Sequence, residues 1–239
     1  MKNIFTTFFS LLIGVSLMAQ STFNDPNAEV RDVKGFHGIK VATGIQLVLT
    51  QGTTEAVAIS APDAEERARI KTVVENGILK INYDYDWWKL MNGKINKKLK
   101  AYVSIVKVDY LNTSSGAALH IDGELKANDL TLKASSGGVM KGKINATSIS
   151  ADNSSGGITS LSGTADNLNV DASSGGAFNG YDFAVNTCDA RTSSGGALHV
   201  TVNKDISGRA SSGGLIAFKG DGTIRSKRTS SGGDVRKVK

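Results

Sequence analysis

Charged side chains recur at one position of a repeated segment in the second half of the chain. Asp152, Asp171 and Arg191 each stand two residues before a Ser-Ser-Gly triplet, at intervals of 19 and 20 residues. If equivalent positions stack on neighbouring strands, the two carboxylates are adjacent and the guanidinium lies beside Asp171. Such a column could serve a carbohydrate lyase, with carboxylates ligating calcium and a catalytic arginine. A ladder of surface ion pairs gives the same pattern, and two carboxylates are few for calcium, which takes about six to eight oxygen ligands.

Aromatic residues are concentrated in one stretch, residues 83–100. Trp87 and Trp88 are adjacent, Tyr85 precedes them, and Lys89 and further lysines follow. Neighbouring residues on a strand face opposite sides, so one tryptophan is expected inside and the other outside. An exposed ring beside a cation can stack on a sugar or hold an anionic partner, whereas the alternative is a loop packed over the fold. We predict Tyr85, Trp87, Trp88 and Lys89 as binding contacts.

The histidines and the cysteine do not form a pattern typical of a metal or catalytic site. His120 and His199 share one outward column but lie four repeats apart, about 19 Å at the strand spacing, so they cannot bind one metal ion. His37 precedes the repeats and has no partner in sequence. Cys188 replaces an aliphatic residue, which favours a small buried hydrophobe over a nucleophile. We expect no catalytic residues, no metal and no cofactor.

All these positions depend on a repeat of about 20 residues. Ser-Ser-Gly occurs seven times between Ser114 and Ser230, at intervals of 21, 19, 19, 20, 18 and 19 residues. Periods of this length indicate a solenoid. Before each triplet apolar and polar residues alternate, as on strands with one buried face; one apolar column is Leu130, Ile149, Leu168, Cys188 and Ile206. Each triplet marks a corner, where glycine supplies the positive φ that a tight turn needs.

The fold class that follows is all-β. We predict a right-handed, single-stranded parallel β-helix of about seven coils, entered through an N-terminal β section with one short helix that begins near Pro62. The start of the chain, an apolar run after Lys2 that ends at Ala19-Gln20, is typical of a cleaved signal peptide. The expected divisions are a signal peptide (1–19), a flexible lead-in (20–29), the N-terminal β section (30–110) and the repeats (111–239), the last two forming one continuous domain.

The net charge of +6 is modest. It fits acidic partners and does not require nucleic acid, which we do not expect as a partner. No later stretch is apolar enough to cross a bilayer, so we expect an exported protein without a transmembrane segment, in the periplasm or on the outer surface. The periplasm is favoured because no surface-anchoring domain is visible. Near the end of the chain Lys227 occupies a position that is apolar or small in other repeats, and charge there would block end-to-end stacking.

The order of three segments resembles the head GIN domain family. They are GFHGIKVATGIQLVLTQG from Gly35, VENGILKI from Val74, and strands that end in Ser-Gly repeats. Gly44-Ile45-Gln46 stands where Gly-Ile-Asn or Gly-Ile-Asp is expected in the family. The resemblance covers nearly the whole mature chain and implies a β-helical fold, an exported location and the label of auto-transporter adhesin, with no catalytic residues to carry over.

Three functions remain open from the sequence. The leading one is a non-enzymatic, adhesin-like binding module of the bacterial envelope, which offers a rigid face to a glycan or to an envelope or surface protein. The second is a lyase-like enzyme that uses the Asp152, Asp171 and Arg191 column. The third is a purely structural envelope protein.

Overall fold

A computed structural model describes residues 25–85 and 98–239. These residues form sixteen strands in one continuous sheet and one five-residue helix. In chain order the elements are β1 (Ala28–Arg31), β2 (Gly38–Val41), β3 (Gln46–Gln51), β4 (Ala56–Ser60), α1 (Ala64–Ala68), β5 (Ile70–Glu75), β6 (Ile78–Tyr83), β7 (Lys100–Ile105), β8 (Tyr110–Thr113), β9 (Ala118–Ala134), β10 (Val139–Asn153), β11 (Ile158–Ala172), β12 (Ala177–Thr192), β13 (Ala197–Ala210), β14 (Leu215–Lys219), β15 (Thr223–Thr229) and β16 (Asp234–Lys237).

Stacked parallel coils make up most of the molecule, which confirms the predicted β-helical fold with about seven turns. Strands β9 to β13 are 14 to 17 residues long, and each pairs in parallel with the next. Ile149 lies opposite Leu130 on one side and Leu168 on the other, as the repeat predicts. Every residue of that column is at most 4% exposed. Burial of each leucine or isoleucine contributes about 1.5–3 kcal/mol, so the column is a main source of stability.

The Ser-Ser-Gly corners differ from the prediction in one respect. Positive φ was expected at glycine alone, but the second serine adopts it too: φ is 50° at Ser136 and 71° at Gly137. The amide of Gly138 donates to the Ser135 carbonyl at 2.8 Å and closes the turn. Two central residues with positive φ are the mark of a type I′ turn.

The corners of successive coils stack on one another, and we call this stack the corner ladder. It begins earlier in the chain than the first Ser-Ser-Gly triplet. Thr43 and Gly44 have φ values of 60° and 73°, and the Gly44 amide donates to the Ser115 carbonyl at 3.1 Å. The β2–β3 pair therefore forms a coil that stacks directly on β8 and β9. The β6–β7 pair stacks on the far side of that coil. Neither coil is predicted by the triplet repeat, because the first carries Ala-Thr-Gly instead of Ser-Ser-Gly and the second carries a long insertion.

Antiparallel strands complete the N-terminal end. β1 pairs with β4, β4 with β7, and β5 with β6, all antiparallel. The helix lies where the sequence predicted one: Asp63 is its N-cap and accepts a hydrogen bond from the Glu66 amide at 2.8 Å. No helix among the described residues has the length and apolar character needed to span a membrane. The predicted signal peptide lies outside the described residues, and the predicted division into segments stays a prediction.

The C-terminal end is formed by β15 and β16. Every residue of β15 is exposed. Lys227 lies opposite the buried Gly208, and its ammonium donates to the Val235 carbonyl at 2.6 Å. The inward-facing column therefore ends in Lys227, whose ammonium lies at the open end of the apolar interior.

Candidate binding surfaces

The predicted charged column stacks in the expected order. Asp152 lies opposite Lys133 on β9 and Asp171 on β11, and Asp171 lies opposite Arg191 on β12. All four side chains are exposed. The two carboxylates are therefore direct neighbours across a strand pair, where like charges repel.

Three arginines complete this column toward the C-terminal end. Arg191, Arg209 and Arg228 are paired in register on consecutive strands, about 4.8 Å apart along the stack. In the described part of the chain, no ion pair of 4.0 Å or less joins any of them to a carboxylate. Together with Asp171 they line a shallow depression of about 380 Å³, whose rim carries the first serine of three corners, Ser193, Ser211 and Ser230. We call these three arginines the arginine row.

The predicted aromatic contacts are only partly covered by the structure. Trp87, Trp88 and Lys89 lie outside the described residues. Tyr85 is 37% exposed, and its ring meets the Tyr83 ring edge-on at 4.9 Å between centroids. The Tyr85 hydroxyl donates to the Thr43 carbonyl at 3.2 Å, so the aromatic stretch begins beside the first corner of the ladder. Its role in binding stays a prediction.

The histidines and the cysteine lie where the repeat placed them. His120 and His199 are four strand steps apart in one column. Burial, followed by the nearby Arg236 charge, lowers the pKa of His199. Cys188 is buried, and burial, followed by the Asp189 charge, raises its pKa to about 12. The thiol is therefore protonated at neutral pH, which is unsuited to nucleophilic attack. Within residues 25–85 and 98–239, no three His, Cys, Asp or Glu side chains are grouped to hold a metal ion.

A second depression, which was not predicted from the sequence, lies on the strand segments that follow the corners. It has a volume of about 610 Å³, and Lys141, Ser160, Asn179 and Tyr181 are among its lining residues. Tyr181 is 37% exposed. The unequal repeat lengths are the signal that could have revealed it, because the 21- and 20-residue repeats that hold His120 and Tyr181 flank two 19-residue repeats.

Comparison with known proteins gives one family and several similar structures. The family model described as "Putative auto-transporter adhesin, head GIN domain" matches residues 35–222. No curated protein gives a significant match. A putative adhesin from Bacteroides fragilis has a similar structure, with a TM-score of 0.78, 19% sequence identity, and coverage of 88% of this chain and 96% of that chain.

Two further structures come from Parabacteroides. A putative lipid binding protein from Parabacteroides distasonis is 22% identical with a TM-score of 0.62, covering 90% of this chain and 98% of that one. A putative adhesin from Parabacteroides merdae is 14% identical with a TM-score of 0.64, covering 89% and 95%. At these identities the similarity shows a shared fold.

Proposed function

The chain belongs to the head GIN domain family, described as putative auto-transporter adhesins, and from this we propose that it is an exported, non-enzymatic binding module of the bacterial envelope. Its partner in this proposal is an anionic polysaccharide. The observation that carries the proposal is the arginine row, three exposed guanidinium groups in register on a rigid stack.

Guanidinium groups suit such a partner because they bind carboxylate or sulfate groups through two parallel hydrogen bonds. One exposed ion pair contributes only about 0.2–1 kcal/mol, so a single arginine would hold a polymer weakly. Because the stack fixes the spacing of their Cα atoms, the three arginines can engage successive charges of one chain. Since these contacts are exposed, we expect binding to weaken with added salt.

The test is binding of the purified protein to immobilised polygalacturonate over a range of salt concentrations. Replacing the arginine row by glutamine (R191Q/R209Q/R228Q) should weaken binding at least fivefold. The matched control, K34Q/K40Q/K71Q, removes three exposed lysines at the other end of the chain and has the same net charge. We expect it to bind within twofold of the wild type. An equal loss in both variants would overturn the proposal, because net charge alone would then account for binding.

A different result of the binding test would change the proposed function. The fold neighbour named a lipid binding protein motivates a parallel arm with vesicles that contain phosphatidylglycerol. Binding to vesicles but not to polygalacturonate would move the ligand from polysaccharide to membrane lipid.

The position of Asp152 opposite Asp171 on the neighbouring strand motivates the enzyme alternative. Release of unsaturated uronate from the polymer, lost in D171N, would establish a lyase and overturn a non-enzymatic role. Failure to bind any envelope component would favour a purely structural protein.

A further inference from the structure

The depression beside Tyr181 arises from unequal strand lengths. Between paired positions, β9 has three residues where β10 has one, and β12 has two where β11 has one. Strands β10 and β11 pair without interruption between these bulges. The bulges therefore form two walls, about three strand spacings or 14 Å apart, and β10 and β11 form a floor between them. A volume of about 610 Å³ lies within the usual range for small-ligand sites.

Contacts on one side hold the Tyr181 ring in place. The His199 ring lies 5.0 Å away between centroids, and the Lys219 ammonium lies 4.6 Å from the centre of the tyrosine ring. The Thr201 hydroxyl donates to the Tyr181 carbonyl at 2.7 Å. These partners belong to β13 and β14, on the side of Tyr181 away from the floor. The ring is therefore positioned before any ligand arrives, which lowers the entropy cost of binding.

The floor carries an unpaired cation and several hydrogen-bonding groups. Lys143 is neutralised by Glu124, whose carboxylate lies 3.0 Å from the ammonium. Lys141 is exposed, and among the described residues no carboxylate lies within ion-pair distance of it. Ser160 and Asn179 follow Lys141 in the same outward row and supply a hydroxyl and an amide.

We propose that this depression binds an acidic pyranose, a uronic acid unit of a saccharide. A pyranose has an apolar C–H face that can lie against the Tyr181 ring, and hydroxyl groups on its rim that can bond to Ser160, Asn179 and the Asp182 carboxylate. The uronate carboxylate binds the Lys141 ammonium. The inference rests on the proposed function in assuming a saccharide partner, but it uses a different site, on the strand segments beyond the corners.

The experiment titrates the purified protein with methyl galacturonoside, a single uronate unit too short to span the arginine row, and with its neutral methyl ester, followed by calorimetry. We expect at least a fivefold preference for the acid. Y181A should weaken both ligands at least tenfold, because both lose the stacking ring. K141M should remove the preference for the acid and leave binding of the ester within twofold. Unchanged thermal unfolding will show that each variant is folded.

Two further variants separate this site from the others. K34Q/K40Q/K71Q should leave binding of the uronoside within twofold. A protein that binds the uronoside but fails the polygalacturonate test would leave this inference standing without the arginine site, so the two proposals can fail independently. V106A removes an apolar side chain of similar exposure, 38%, outside the depression and should have no effect. The inference is overturned if Y181A binds the uronoside like the wild type, or if V106A abolishes binding.

Discussion

At the residue scale, the two glycines that follow six of the seven serine pairs are needed for different reasons. Gly156 has a φ of 71°, and a Cβ atom there would meet nothing within 4 Å. Gly157 has an ordinary φ, but its Cβ atom would lie 2.0 Å from the Ala134 carbonyl oxygen on the preceding coil. The first glycine therefore serves backbone conformation, and the second allows close approach of two backbones. Ser155, with a φ of 49°, shows that a side chain can occupy the left-handed region beside it.

This difference gives a prediction for alanine at each position. G156A should cost about 1–2 kcal/mol, the usual price of a left-handed alanine. G157A should cost more, about 3 kcal/mol or above, because a backbone carbonyl on the neighbouring coil must move. Urea unfolding of both variants measures the two free energies. Equal losses would show that the coils separate easily at the corners.

At the element scale, the terminal strand β15 differs from the strands inside the stack. It pairs with β13 and has no buried residue. An exposed edge of this kind can pair with another chain, and natural proteins oppose this with charged side chains. β15 carries Arg225, Lys227 and Arg228, and Lys227 points toward the end of the interior through its bond to Val235. This strand therefore ends the stack.

We predict that K227V promotes self-association. The change removes the charge at the open end of the apolar core and extends an apolar column to the exposed edge. Sedimentation velocity at several protein concentrations should show larger species than in the wild type. K133V, on β9, is the control and should sediment like the wild type, since the exposed Lys133 lies at a position paired on both sides, with Asn112 and with Asp152. Identical behaviour of the two variants would show that the lysine does not protect the edge.

The elements that could be predicted from sequence are those whose environment repeats. Leu130, Ile149 and Leu168 recur in the same surroundings, so alternation alone predicted their burial and pairing. The coil of β6 and β7 could not be predicted, because the chain leaves the stack after β3 and returns on its far side. The Tyr181 depression depends on differences in length between repeats, which a search for repetition averages away. The stacking of the charged residues was predicted from the repeat. That no carboxylate of the described residues forms an ion pair with the three arginines depends on side-chain geometry, which the repeat does not give.

At the scale of the whole molecule, each coil contacts mainly its neighbours, so stability should vary along the axis. Strands β10 to β12 are paired along their length on both sides. The N-terminal end is completed by antiparallel strands, whereas β15 at the other end is fully exposed.

We therefore predict graded hydrogen exchange. Amides of β10 to β12 should be the slowest, and those of β15 and β16 should exchange faster by at least two orders of magnitude, because the last coil can open without the rest. Mass spectrometry of peptides after timed deuteration measures this gradient. Uniform protection from β9 to β16 would mean that the stack opens only as a whole.

At six corners the second glycine fits against the backbone of the coil before it, which makes each of these repeats a template for the next. A segment such as residues 154–172 begins and ends at equivalent points, so its excision or duplication would rejoin matching surfaces. Gain or loss of one repeat would change the length of the stack by about 4.8 Å while both ends stay the same.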